Sequence, residues 1–151
     1  MSKKYLARSA IIASIYVVLV ALNPVSYGAL QLRVGGIMCA IPFFNKKYTP
    51  AIVIGVILSN LASPLGLTDV VVGSFSTFVS YLIAENVSNA YIKALIYSLI
   101  VSSAVASMLH YFLHVPILLT FVSLVVSNGV ILILGVLLFS KNKTLNKLIT
   151  D

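Results

Sequence analysis

The sequence predicts an all-α integral membrane protein with six transmembrane helices, and three observations predict it. Of the 151 residues, 60 % are apolar and only 9 % charged, with a mean hydropathy of +1.10; a soluble domain has about 45 to 50 % apolar and about 25 % charged residues. The few charges fall in clusters that divide the chain into long uncharged tracts. Ten of them are Lys or Arg against three Asp or Glu, a formal net charge of +7. A surface so poor in charge leaves more apolar area than a water-soluble monomer tolerates, so its natural solvent is lipid. The cations lie between apolar tracts instead of along one stripe, and therefore read as topology signals, not as a nucleic-acid surface.

A spanning helix needs about 20 residues. Between Arg8 and Arg33 lie 24 uncharged residues, broken near Asn23-Pro24, which is room for one helix and a short loop. Residues 34–45 are only 12, enough for a short helix or a re-entrant piece. Residues 48–68 open with Thr49-Pro50 and close with Ser63-Pro64-Leu65-Gly66, the proline and glycine punctuation expected at helix ends. Residues 70–84 form a fourth helix whose first turn Thr68 or Asp69 can cap through a side-chain oxygen. Residues 94–140 are 47 uncharged positions, enough for two helices that meet at the polar break 110–116.

Charge decides the doubtful second segment, because Lys and Arg stay on the cytoplasmic side of short loops. With six spans, Lys3, Lys4, Arg8, Lys46, Lys47, Lys93, Lys141, Lys143 and Lys147 share the cytoplasmic side, and Arg33 alone is outside. With five, the N-terminal and C-terminal cations separate. Six spans with both termini cytoplasmic is the expectation, in one helical domain over 1–151. Lys3-Lys4 before an apolar run also fits a signal peptide, but cleavage there would remove a helix that the count uses.

Several activities find no support. One cysteine, Cys39, makes no intrachain disulfide, and no Cys and His cluster has zinc-site spacing. His110 and His114, four apart, share a helical face but lack a third ligand. No carboxylate or Lys is expected near the midplane to couple protons or sodium, and no phosphate-binding Gly-rich loop is present. An enzyme lacks a catalytic constellation. No cofactor or metal is expected. Binding, passive conduction, or service as one subunit of an energised complex remain.

The polar residues that fall in or near the membrane are the informative ones. Asn23, Ser26, Tyr27, Gln31, Arg33, Asn60, Ser63, Thr68, Asp69, His110 and His114 gather on the outer side. They either anchor helix ends at the interface or, as aromatic faces beside amide and guanidinium donors, bind a flat heteroaromatic ligand. Arg33 runs against the inside bias, so it contacts a ligand or pairs with Asp69. Asn128 sits well inside the sixth helix, where an amide must bond a neighbouring helix or a ligand. Small residues four apart, such as Ala10 and Ser14, Gly73 and Thr77, and Ser102 and Ala106, mark faces that allow close helix approach.

Ser26-Tyr27-Gly28-Ala29-Leu30-Gln31-Leu32-Arg33, Ile41-Pro42-Phe43-Phe44, Gly55-Val56-Ile57-Leu58-Ser59-Asn60-Leu61 and Gly66-Leu67-Thr68-Asp69-Val70-Val71-Val72-Gly73-Ser74 resemble the queuosine-precursor (QueT-type) substrate-binding subunits, or S-components, of energy-coupling factor (ECF) transporters. The likeness runs over roughly residues 7 to 85, and the last two helices agree in length and placement. It implies a six-helix S-component in the plasma membrane that binds a small heteroaromatic substrate in an outward pocket. Its implied partners are a transmembrane coupling subunit, met by the helix 1 face of Ala10 and Ser14, and two cytoplasmic ATPases whose hydrolysis topples the S-component to deliver the ligand. Tyr27, Gln31, Arg33, Asn60, Asp69 and Asn128 are the substrate-binding residues expected on this reading.

The chain departs from the family pattern at two acidic positions. Gly35-Gly36-Ile37 stands where Ser-Glu-Ala is usual, and Ser127-Asn128 where Gly-Glu is usual. A carboxylate there would suit an aminomethyl cation or the amidine-like edge of a guanine-type base. Without it, a neutral deazapurine, a bulkier queuosine-related compound or another flat vitamin-like molecule comes into range. The alternative function is a small structural or assembly membrane protein with no transported ligand.

Overall fold

A computed structural model describes residues 3–23 and 33–150. Helix α1 covers Lys3–Ala21, α2 Val34–Phe44, α3 Thr49–Asn60, α4 Leu67–Ala84, α5 Ala90–Leu113, α6 Ile117–Lys141 and α7 Lys143–Thr150, and among the described residues there is no strand. Helices α1, α4, α5 and α6 are long and apolar enough to cross a membrane. The chain is thus a multi-pass, all-helical membrane protein. The two other expected spans are shorter. Helix α3 has 12 residues, and α2 is wound as a 3₁₀ helix over Val34–Ala40 before one α turn, Ile41–Phe44. The 3₁₀ winding rises about 2.0 Å per residue against 1.5 Å in an α-helix, so α2 reaches roughly 20 Å where an α-helix of its length would reach less.

Packing neighbours run α1 to α3, α3 to α4, α4 to α5, α5 to α6, α6 to the 3₁₀ part of α2, and that part back to α1. The six segments therefore close a ring whose order differs from chain order, with α2 set between α1 and α6. Two glycines let it in. A Cβ on Gly35 would lie 2.7 Å from the Val20 side chain and 3.0 Å from the Tyr16 carbonyl; one on Gly135 would lie 2.6 Å from the Ile37 carbonyl. Only backbone without side chains can approach so closely on both sides.

The outer faces are apolar and the inner faces mixed, as lipid requires. Ile11, Ile15 and Val18 of α1 and Val71, Phe75 and Leu82 of α4 are exposed, while Ser59, Ser76, Thr77, Ser80, Ser98 and Ser102 are buried. Buried hydroxyls find carbonyls: Ser80 donates to Thr77 at 2.7 Å on its own helix, and Ser98 donates across to Val125 of α6 at 2.9 Å. With no water to hydrogen-bond them, such groups must be satisfied inside the bundle.

Contacts gather the basic residues at one end. Tyr5 stacks on Tyr48 with ring centroids 5.6 Å apart and donates to the Lys47 carbonyl. Lys46 pairs with Glu85 at 2.6 Å, Lys93 donates to the Phe43 carbonyl at 3.0 Å, and Asn45 donates to the Ile149 carbonyl at 2.7 Å. The Glu85 hydrogen bond and charge raise the Lys46 pKa, and Lys46 lowers that of Glu85.

Several boundaries differ from expectation. Neither Thr68 nor Asp69 caps α4: the N-cap is Gly66 at φ +55°, and Asp69 lies inside the first turn, buried. Helix α5 starts at Ala90, where Asn89 accepts the Tyr91 N–H at 2.8 Å, earlier than the uncharged tract implied. The α5–α6 break falls where the polar residues put it, but His114 is a left-handed cap beyond Leu113, so His110 and His114 do not share a face of α5. Helix α7 was not expected; Asn142 accepts the Thr144 and Leu145 N–H groups at 3.1 and 3.2 Å and starts it.

Candidate functional site

The ring encloses a small cavity of about 30 Å³ to which each of its six segments contributes a wall. Tyr16 comes from α1, Gly36 and Cys39 from α2, Val56 from α3, Gly73 and Thr77 from α4, Tyr97, Val101 and Val105 from α5, and Asn128, Ile131 and Leu132 from α6, with Arg33 just ahead of α2. Polar groups line one wall. Thr77 Oγ1 and the Tyr97 hydroxyl lie 3.2 Å apart, and the same hydroxyl donates to Cys39 Sγ at 3.5 Å. Across the cavity, Asn128 Nδ2 donates to Ser102 Oγ at 3.1 Å, tying α6 to α5. Of the two bonds that the sequence allowed Asn128, this is the interhelical one, and its residue also lines the cavity.

A second polar cluster closes the end opposite the basic one. Arg33 Nη2 lies 3.8 Å from Asp69 Oδ2, a carboxylate only 2 % exposed, so of the two roles that the sequence allowed Arg33 the pair with Asp69 is present. Ser63 donates to the same Asp69 oxygen, and Asn60 Nδ2 donates to the Asp69 carbonyl at 3.0 Å. Two buried acceptors here, Asn60 Oδ1 and Asp69 Oδ1, have no hydrogen-bond partner among the described residues. Gly73 makes room for the arrangement, because a Cβ there would collide with the Asn60 amide.

Of the six residues that the sequence singled out for binding, the structure brings Arg33 and Asn128 to the cavity and sets Asn60 and Asp69 behind Arg33. Tyr27 and Gln31 lie outside the described residues. Ala10 and Ser14 are both exposed on α1, among the outward Ile11, Ile15 and Val18. Among the described residues no group of three His, Cys, Asp or Glu could hold a metal ion, and His110 Nδ1 is engaged with the Val115 carbonyl at 2.8 Å.

Sequence reasoning missed Tyr16, Cys39, Thr77 and Tyr97. Thr77 had been noted only as a small packing residue, and the tyrosines count as apolar in a hydropathy window. The available signal was their hydroxyls: an O–H in mid-span must face a partner. A larger groove of about 870 Å³ lies at the basic end, among Phe44, Ile54, Phe78 and Leu82 with Lys46, Glu85 and Lys93 at its mouth. It opens on the apolar outer surface and holds none of the expected binding residues, so size alone does not make it the site.

No solved structure matches the chain. The family model described as QueT transporter matches residues 6–144. The queuosine precursor transporter QueT of Lactococcus lactis subsp. cremoris (strain MG1363) is 43 % identical over 82 residues, which cover 52 % of this chain and 48 % of that protein. The match therefore spans about half the length of that relative. With the family model covering nearly all of a helical ring built around a partly polar cavity, the chain belongs to the QueT transporter family.

Proposed function

We propose that the chain is the substrate-binding subunit of an energy-coupling factor importer for a queuosine precursor or related deazapurine. The observation that carries the reading is the convergence of six helical segments on one internal cavity with hydroxyl, amide and guanidinium groups in its wall. All six segments span the membrane on this reading, and the basic end faces the cytoplasm with both termini, as the excess of cations there favours. Ligand enters from the Arg33 end. A volume of about 30 Å³ admits little more than water, so a heteroaromatic ring enters only when the lining side chains shift. Tyr27 and Gln31, outside the described residues, complete the proposed recognition set. Delivery follows toppling of the whole subunit, driven by two ATPases through a coupling subunit that meets α1 at Ala10 and Ser14. The family is one of transporters, which leaves the enzyme and the purely structural readings without support.

The lining also favours one ligand chemistry. Arg33 is its one formally charged side chain among the described residues, since Asp69 stands behind it, engaged with Arg33 and Ser63. A cationic aminomethyl substituent would meet no carboxylate in the wall, whereas a neutral nitrile or carboxamide can accept from Asn128 or Arg33. Calorimetry on the purified chain in detergent tests this. The cyano-bearing deazaguanine is expected to bind at least ~10-fold more tightly than the aminomethyl one, and Asn128→Leu to weaken it. Absence of binding by either compound would overturn the substrate assignment.

A further inference from the structure

The short last helix carries a feature that substrate capture does not use. Helix α7 is pinned to the basic end: Ile149 is buried, its carbonyl accepts from Asn45, Asn146 Nδ2 donates to the Phe139 carbonyl at 3.1 Å, and Leu145 packs on the main apolar cluster. That docking fixes the direction of its polar face. Lys143 and Lys147, one turn apart, face Arg8 of α1 across a groove of about 360 Å³ whose remaining lining is Thr144 and Leu148.

Three cations converge there, and among the described residues no acid lines the groove. None of the three makes an ion pair or hydrogen bond among the described residues, and Glu85 at this end is held by Lys46. Like charges at i and i+4 destabilise a helix, and a third cation opposite adds to the cost, so the arrangement gives the fold nothing unless an anion neutralises it. Arg8 presents a planar fork suited to two phosphate oxygens, and the two ammonium groups supply point charges on the other side. The groove lies at the basic ends of α1 and α6, two helices long and apolar enough to cross a membrane, so with both spanning it falls at the level of lipid headgroups, where half-exposed Leu148 offers the glycerol and upper acyl region an apolar floor.

We infer that Arg8, Lys143 and Lys147 form a binding site for the headgroup phosphate of an anionic phospholipid of the phosphatidylglycerol class. The lipid holds α7 and the start of α1 together at the membrane surface. The site is independent of the transported ligand.

Native mass spectrometry of the full chain, released from detergent with equal amounts of phosphatidylglycerol and phosphatidylcholine, tests it. Retained phosphatidylglycerol in preference to phosphatidylcholine is expected, with affinity falling at least ~10-fold in Arg8→Gln/Lys143→Gln/Lys147→Gln. The equally neutralised Lys3→Gln/Lys4→Gln/Lys47→Gln is expected to keep its lipid. Should the triple variant not fold, Lys147→Gln alone, at an exposed side chain, is expected to weaken retention about threefold. Equal retention of the two lipids, equal loss in both triple variants, or displacement of the lipid by inorganic phosphate would overturn the proposal. Loss of copurifying ATPase subunits in the Arg8 triple variant with lipid retention unchanged would assign the groove to an acidic protein partner instead.

Discussion

Asn128 does two jobs at once, holding Ser102 of α5 at 3.1 Å and lining the cavity. Interhelical side-chain bonds in membranes contribute about 0.6 kcal/mol on average, up to roughly 2 kcal/mol. Asn128→Leu is therefore expected to lower stability in detergent by about that much, read from the thermal midpoint, while losing the proposed contact with the ligand's ring edge. Asn128→Glu places a carboxylate in the wall and is expected to move the ratio of aminomethyl to cyano deazaguanine affinity at least ~10-fold toward the cation; an unchanged ratio would remove Asn128 from the recognition set. Gly73→Ala drives a methyl into the Asn60 amide, displacing it from the Asp69 carbonyl. Overpacking costs about 1 to 3 kcal/mol, and a lowered thermal midpoint checks it. Single polar residues were legible wherever they interrupted apolar tracts, as Asn128, Asn60 and Arg33 did. Asp69 was legible as important and as one possible partner of Arg33, but not as buried, because its placement at a helix start suggested a cap and only the fold shows Ser63 turned toward it.

Helices α1, α4, α5 and α6 were readable because tract length between charges is a direct measure of a membrane span. The second segment was readable as short but not as 3₁₀, since its winding answers to the room between α1 and α6, not to its own propensity. Helix α7 hid in a charged tail whose lysines read as topology signals. The tight seat of α2 makes a specific demand on Gly135, where any Cβ meets the Ile37 carbonyl and, at 2.9 Å, Ala40 Cβ. Gly135→Val is expected to push α6 off α2, lowering stability by about 1 to 3 kcal/mol and loosening the cavity wall that Asn128, Ile131 and Leu132 provide; unchanged thermal midpoint and ligand affinity would contradict the close packing. At the basic end, Lys46 and Glu85 link the approach to α3 with the end of α4. Glu85, its pKa lowered, contributes stability above the ordinary carboxylate range that is lost as pH falls through its folded value. Lys46, its pKa raised, contributes below the ordinary lysine range, and that is lost only as pH rises through its folded value. The pair thus persists across neutral pH. The difference in thermal midpoint between wild type and Glu85→Gln, small because the pair is exposed, is expected to hold steady around neutrality and to vanish only as acidification carries Glu85 below the ordinary carboxylate range and through its lowered folded value.

On the scale of the whole molecule, the ring order was invisible in the sequence, because nothing in one chain's hydropathy says which apolar face meets which. What the sequence did convey is an asymmetry: polar and aromatic groups at one end, cations at the other, and no nucleotide motif between them. On the proposed reading the bundle holds a solute at equilibrium and takes the work for uphill movement from contact with energised partners. The surface proposed for that contact differs from the surface proposed for ligand. Ala10 and Ser14 are exposed on the outer face of α1, while Tyr16, two residues on, turns inward to the cavity. Ala10→Leu/Ser14→Leu fills the outer face without touching the cavity wall, so the variant is expected to bind deazaguanine as wild type does in calorimetry. Copurification of ATPase subunits from membranes is expected to fall at least ~10-fold, and uptake into cells with it. Parallel loss of ligand binding and partner would mean that the substitutions disturb the bundle itself. Full retention of both would place the coupling face elsewhere on the ring, and uphill transport by the chain alone in liposomes would show that it needs no such face.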